Sequence, residues 1–385
     1  MKLSSQALKE QFQLDPEYKY LNHGSFGACP LPIFKEREKW QKELEYQPVT
    51  FITKAFDLLQ SSRQALSEYI HCDRDDIVFF PNPTTAMNMV IRSLELKEGD
   101  EVLSTNHEYG AIERTWKFIS MKKGFKYTPI DIDIPFNEDD FVDKFKSNIS
   151  KNTKVFFLSH ITSPTGIIFP IEKISKLAND LNIMIIIDGA HAPAQIDLDL
   201  NSLGVDIYTG ACHKWMLCPK GVSFLYASKK IQDSLEPLIV SWGWESDEPS
   251  QSQFLDYHQY QGTNDISTYL SVSAAINFLN DNDWVSVRKY CHRMVIEARK
   301  LLLETAGTHP ICPDSSLGQM ASIQINLSEG KSLNDLYQYL KKHKIEVPVM
   351  KWNGMDFFRI SFQCYNSFED IEFLNYYLNE YLNSI

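Results

Sequence analysis

The feature that most constrains this chain is an alternation that runs from Asp76 to Ala227. Short, almost wholly apolar runs are separated by stretches with the 3.6-residue periodicity of amphipathic helices. The runs are DIVFF (76–80), DEVLST (100–105), FKYTPIDI (125–132), TKVFFLSH (153–160), IMIIID (183–188), DIYTG (206–210) and GVSFLYA (221–227). Helical patterns cover Thr84 to Leu96 and Gly110 to Lys123, then EDDFVDKFKSNI (138–149) and PIEKISKLANDL (170–181). Strands without a polar face must be covered on both sides, and the intervening helices supply that cover. The expected fold is α/β, with a mostly parallel seven-stranded sheet and helices on both faces. Only about ten residues join the last two strands, too few for a parallel crossover, so GVSFLYA is expected to run antiparallel.

Beyond Asp265 the texture changes. A long helical stretch (284–306) leads into ASIQINL, another helix, IEVPVM and FFRISF, which reads as a smaller α+β C-terminal domain. A chain of 385 residues has room for such a division. The expected organisation is an N-terminal helical segment (1–20), a large domain (21–265) and a small C-terminal domain (266–385).

The formal net charge of −12 argues against a nucleic-acid partner, since phosphates would be repelled. No apolar run approaches the roughly 20 residues a membrane span needs. MKLSSQALKEQFQLD lacks the apolar centre of a signal peptide. Seven cysteines, an odd number without CxxC spacing, read as reduced thiols of a cytoplasmic protein with no metal site.

In an open parallel sheet, ligands sit beyond the carboxyl ends of the strands. Here DIVFF is followed by PNPTTAMN, where Thr84 and Thr85 open a helix and could cradle a phosphate. DEVLST is followed by NHEYG, with His107 and Tyr109, and VFFLSH by ITSPTG, with Ser163. IMIII ends on Asp188, with His191 close behind, and DIYTG leads to His213 and Lys214. An aspartate closing an apolar strand is costly unless it meets a cation. Together these residues match the needs of pyridoxal 5'-phosphate (PLP). Lys214 would bond the aldehyde, Asp188 would pair with the ring nitrogen, and Thr84, Thr85 and His213 would hold the phosphate. A ring from NHEYG would stack on the cofactor. A buried Lys214 should lose its proton easily and act as a base.

The motifs DGAHA (188–192), HKW (213–215) followed by PKG, TTAMN (84–88) and QGTND (261–265) together resemble the class V aminotransferase family of fold-type-I PLP enzymes. YLNHGSFGACP (20–30) and NHEYGA (106–111) resemble its isopenicillin N epimerase-like subgroup, which also holds the C–S lyases of ergothioneine synthesis. The resemblance implies that Tyr109, rather than His107, is the ring stacked on the cofactor. It implies that His191 and Ser163 approach the phenolic oxygen and that Thr263 reaches the phosphate of a partner subunit in a homodimer. It implies that Arg359, in FFRISF, grips the substrate carboxylate, with Asn22, His23, Gly24 and Ser25 at the substrate end. One departure concerns the phosphate: Ala211 stands where relatives often carry a hydroxyl or amide. Another concerns sulfur: the segment from Asp314 to Phe358 holds no cysteine, which ranks cysteine desulfurase low.

The expected activity is therefore PLP chemistry at Cα or Cβ of a carboxylate-bearing amino acid, of the epimerase-like kind. C–S lysis and transamination are the alternatives. Epimerisation needs a second acid or base besides Lys214, a part for Tyr109 or His107. A PLP-binding regulator ranks low, because too few residues precede YLNHGSFG for a DNA-binding domain.

Overall fold

A computed structural model describes residues 5–383. Seven strands form the main sheet: β1 (Ile77–Phe80), β2 (Glu101–Thr105), β3 (Lys126–Ile130), β4 (Thr153–Ser159), β5 (Met184–Asp188), β6 (Ile207–Ala211) and β7 (Ser223–Ala227). Their spatial order is β1-β7-β6-β5-β4-β2-β3. Only β7 runs against the others, pairing antiparallel with both β1 and β6. The short connection after Ala211 thus forces the reversal that its length predicts.

Alternate residues of each strand enter two separate cores. Ile77, Phe79, Phe156, Leu158, Ile185 and Ile187 face one, whereas Val78, Phe80, Val155, Phe157 and Ile186 face the other. Helices α1 (Leu31–Tyr46) and α2 (Pro48–Ile70) lie on the first side, where Ile33, Leu59 and Leu66 join the core. Helices α3 (Pro83–Ser93) and α4 (Gly110–Lys123) cover the second, burying Met87, Val90, Ile112 and Trp116. Helix α5 (Glu138–Asn148) and helix α6 (Ile171–Asp180) return to the first side through Phe141, Phe145, Ile171 and Ile174.

The local sequence sets where these helices begin and end. Asn82 caps α3 by accepting the Thr85 N–H at 2.8 Å, and Pro83 fills the first helical position, where no N–H is needed. Gly124 ends α4 in the left-handed region, after Lys122 and Lys123 in the last turn.

Downstream, α7 (Val272–Asp281) packs on α1 and α2, and α8 (Trp284–Ala306) crosses to the C-terminal layer. That layer is a three-stranded antiparallel sheet of β8 (Met320–Ile325), β9 (Val349–Trp352) and β10 (Met355–Ser361), in the order β9-β10-β8. Helices α9 (Leu333–Lys342) and α10 (Phe368–Asn383) flank it.

Two local expectations differ from what is found. IEVPVM is not one strand: Ile345–Glu346 pairs with Lys19–Tyr20, and β9 starts only after Pro348. A proline has no N–H for a ladder, so the pairing partner changes there. In the segment 1–20, residues 1–4 lie outside the described part, and helix is confined to Ser5–Lys9. Lys19–Tyr20 instead ties the N-terminus to the C-terminal layer. Among the described residues no helix is long and apolar enough to cross a membrane.

Candidate active site

The carboxyl ends of β1, β2, β4, β5 and β6 converge on a cavity of about 290 Å³. Its floor is Asp188, the last residue of β5, which is 4% exposed. The next residue must be glycine: a Cβ on Gly189 would fall about 2.1 Å from the Tyr208 ring. This tight turn aims the Ala190 N–H at Asp188 Oδ1, 3.0 Å away. Burial raises the Asp188 pKa, against the Ala190 bond and the charge of Lys214. The carboxylate is thus short of a cation, which a protonated ring nitrogen would supply.

Lys214 follows β6 in a compact turn, closed by Leu217 N–H donating to its carbonyl at 3.0 Å. Its Nζ is 3.2 Å from His191 Nε2. On the far side of that ring, Trp215 Nε1–H donates to Nδ1 at 3.4 Å. Nδ1 is thereby an acceptor, and the ring's own proton sits on Nε2, facing the lysine. A neutral amine accepts that proton; an ammonium cannot. Burial lowers the Lys214 pKa to about 8, with Asp188 opposing and Arg359 adding to the fall.

At the end where a phosphate is expected, Thr84 is the second residue of α3 and lines the cavity with Asn82. Among the described residues neither its N–H nor its hydroxyl has a partner. The helix N-terminus is thus left open to an anion. His213 lines the same end, and its Nδ1–H donates to the Val222 carbonyl at 2.7 Å. Ala211 offers no donor beside it.

The opposite wall comes from both ends of the chain. Arg359 projects from β10 into the cavity, 3% exposed, with no carboxylate of the described residues beside it. Nη1 donates to the Ser163 carbonyl, Nη2 donates to Ser25 Oγ at 3.1 Å, and among the described residues Nε has no partner. Burial lowers its pKa to about 10. A desolvated guanidinium hydrogen-bonded only to neutral groups is a site made for an arriving carboxylate.

Gly24 and Ser25 share this wall, and Phe26, 65% exposed, stands at the mouth. Gly27 passes so close to the lysine turn that a Cβ would meet the His213 carbonyl at 2.6 Å, and its φ of 67° suits only glycine.

Tyr109 lines the cavity and is 47% exposed. Beneath it lies Glu108, which the sequence reading passed over. Its carboxyl accepts from Thr105 Oγ1 and Ser159 Oγ, both at 2.7 Å. Burial pushes its pKa up to about 8, with a further push from Asp188. Burial thus favours its protonated form, and the carboxyl ties the Tyr109 loop to the end of β4.

The expected site residues therefore divide. Lys214, Asp188, His191, His213, Thr84 and Tyr109 meet around one cavity with Ser163, Arg359, Gly24 and Ser25. His107 does not reach it. Its Nδ1 bonds Thr165 Oγ1 at 2.8 Å and its Nε2 the Ile132 carbonyl at 3.1 Å, with Trp352 against the ring. Thr85 spends its hydroxyl on the Asn82 cap. Asn22 and His23 are buried behind the wall, where His23 bonds Tyr365 and the Lys214 carbonyl. Thr263 is exposed, 3.4 Å from the Tyr260 hydroxyl, and outside this cavity.

Cys312 and Cys364 are buried, with raised pKa values, and offer no mobile thiolate. Ser159, Asn82 and Trp215 are further members the sequence reading did not assign. The first two stand at strand or helix ends, a signal that was available.

Residues 38–374 match the family described as Aminotransferase class-V. Isopenicillin N epimerase of Streptomyces clavuligerus is 29% identical over 93% of this chain and 94% of its own. A probable chloroplastic L-cysteine desulfhydrase of Arabidopsis thaliana is 26% identical over 96% of this chain and 84% of its own. Among solved structures, a mutant of C-DES with glycine covalently linked to its PLP cofactor superposes with a TM-score of 0.84. It is 20% identical and covers 97% of this chain and 99% of its own.

Proposed function

This chain belongs to the aminotransferase class-V family and is a PLP-dependent enzyme of fold type I, and on that premise we propose that it cleaves the Cβ–S bond of a cysteine-like amino acid. One observation carries the reading: Arg359, a buried cation without a carboxylate, faces the same cavity as a lysine poised to lose its proton. The two match the carboxylate and the Cα proton of one α-amino acid.

In the proposed site, Lys214 is the point of attachment and Asp188 holds the proton on the ring nitrogen. Thr84 and His213 take the phosphate, and Tyr109 covers the ring. The bound cofactor supplies a conjugated, electron-withdrawing ring that stabilises negative charge at Cα. Arg359 clamps the substrate carboxylate through its fork and fixes which Cα bond is aligned for cleavage. Lys214 Nζ, as a free amine, would remove the Cα proton. His191, its tautomer set by Trp215, keeps a proton donor beside that amine. As the Cβ–S bond breaks, its electron pair leaves with sulfur, and hydrolysis of the remainder yields pyruvate and ammonia.

Elimination needs one base, and Lys214 supplies it. Epimerisation needs a second group on the other face of Cα; with His107 committed elsewhere, only Tyr109 remains. That second reading is favoured by the 29% identity to isopenicillin N epimerase.

Incubating the loaded protein with cysteine-type amino acids in D2O separates the readings. Pyruvate, ammonia and a released thiol or sulfide are expected. Cα deuteration with racemisation and no pyruvate would overturn lysis in favour of epimerisation, and turnover only with an added keto acid would mean transamination.

A homodimer is part of the proposal, with Thr263 of one subunit serving the phosphate of the other. Exposed Tyr46, Val49 and Phe56 around the α1–α2 junction, and Trp242 and Trp244, support a covered surface. The described cysteines are all free, which supports a reducing compartment such as the cytoplasm.

A further inference from the structure

The His213 ring has one proton position already spent. The Val222 carbonyl can only accept, so Nδ1, at 2.7 Å, must carry the ring's hydrogen. In a neutral ring the edge turned away from Val222 is then a bare nitrogen, Nε2, and His213 lines the cavity. A phosphate monoester above its second pKa, about 6, presents oxygens that only accept. A phosphate seated against Nε2 would set two acceptors face to face, which repel unless a proton lies between them.

Neighbouring donors cannot relieve this. Thr84 has its own hydroxyl and N–H to offer, but the Thr85 hydroxyl is bonded to Asn82, and Ala211 has none. The charged and titratable groups around the ring are Lys214 beside it, Lys220, His191 and, across the cavity, Asp188. Burial, together with Lys214 and Lys220, holds His213 neutral in the ligand-free protein, its pKa lowered to about 4.

We infer that seating the cofactor's phosphate at His213 takes up one proton from solvent, which comes to lie between Nε2 and a phosphate oxygen. No bond to carbon or phosphorus changes. The proton comes from water, and the phosphate charge is met by the His213 imidazolium, two residues after Ala211, whose side chain donates nothing. Cofactor capture is then coupled to pH. The inference rests on the assignment of this cavity to PLP.

Calorimetric titration of the apoprotein at pH 7.5, in two buffers of different ionisation enthalpy, counts the protons taken up. Pyridoxal, which has the aldehyde but no phosphate, reports whatever Lys214 contributes. PLP should take up close to one proton more than pyridoxal. In His213→Gln, whose amide donates without a borrowed proton, that excess should fall toward zero. The wild-type Kd should also weaken with rising pH more steeply than that of the variant, by up to about tenfold per pH unit. Equal proton counts for the two ligands in the wild type would overturn the inference while leaving the cofactor assignment intact. If PLP does not bind at all, the cofactor assignment falls and the inference with it. Should His213→Gln not fold, the wild-type comparison decides alone.

Discussion

Lys214 and Arg359 are two cations facing one cavity from different walls, and each is legible in the sequence for a different reason. Lys214 sits among Cys212, Trp215 and Met216, residues that are buried in the structure, so a charge there demands a purpose. Arg359 interrupts an apolar strand, and only the family resemblance points to its role. Lys214→Ala should remove turnover by at least about 10³-fold, as loss of both the attachment and the base requires. Arg359→Ala should raise KM for carboxylate substrates by about 10- to 100-fold, the value of a charge-assisted pair, with a smaller change in kcat. Steady-state kinetics on both variants checks these outcomes. Glu108 escaped notice because its burial depends on Ser159, 51 positions away, and no local pattern reveals that. Its carboxyl pKa is raised from 4.5 to about 8, so the protonated form is favoured in the folded protein. The stability it lends is complete below about 4.5 and is lost as pH rises through about 8. Between pH 5 and 8 the thermal midpoint of the wild-type apoprotein should therefore fall further than that of Glu108→Gln. Parallel slopes would remove Glu108 as a buried neutral acid. His107 shows the converse error: a polar residue just beyond a strand can turn back into the core when Thr165 and Ile132 offer it partners.

At the scale of elements, the main sheet was readable because each strand needs cover on both faces, and that requirement leaves a continuous apolar run. The reversal of β7 followed from chain length alone. The C-terminal layer was less readable, since its order, β9-β10-β8, depends on pairings between distant segments. Pro348 hid one such change of partner inside what looked like a single strand. The N-terminus of α3 carries a separable prediction. Asn82→Ala removes the cap on the Thr85 N–H and should cost about 1 kcal/mol of stability. Because Thr84 loses its fixed position in the first turn, cofactor affinity should fall as well. Denaturant titration of the apoprotein and of the loaded protein would reveal both, with the larger loss in the loaded form; equal losses would mean that the cap does not position the anion cradle.

For the whole molecule, the strand ends announced the cavity, whereas its far wall, assembled from both chain ends, was legible only through the family resemblance. Leu21 accepts from Ser361 N–H at 2.8 Å, Gly24 N–H donates to Ser361 Oγ at 3.1 Å, and Ser25 meets Arg359. The same loop touches the lysine turn through His23 and Gly27. Gly27→Ala would force the loop away from that turn, and the effect should appear as a raised KM with the cofactor spectrum unchanged. Sedimentation velocity should give twice the chain mass, and Val49→Glu should shift it toward one chain. The wall also settles what this catalyst measures. The proposed carboxylate clamp is mounted on one layer and the amine on another, so the gap between them would act as a fixed gauge. A compound with one extra carbon between its two functional groups should be turned away on length, whatever its side chain, and relaxing that gauge would take a change in how the layers dock rather than a wider pocket.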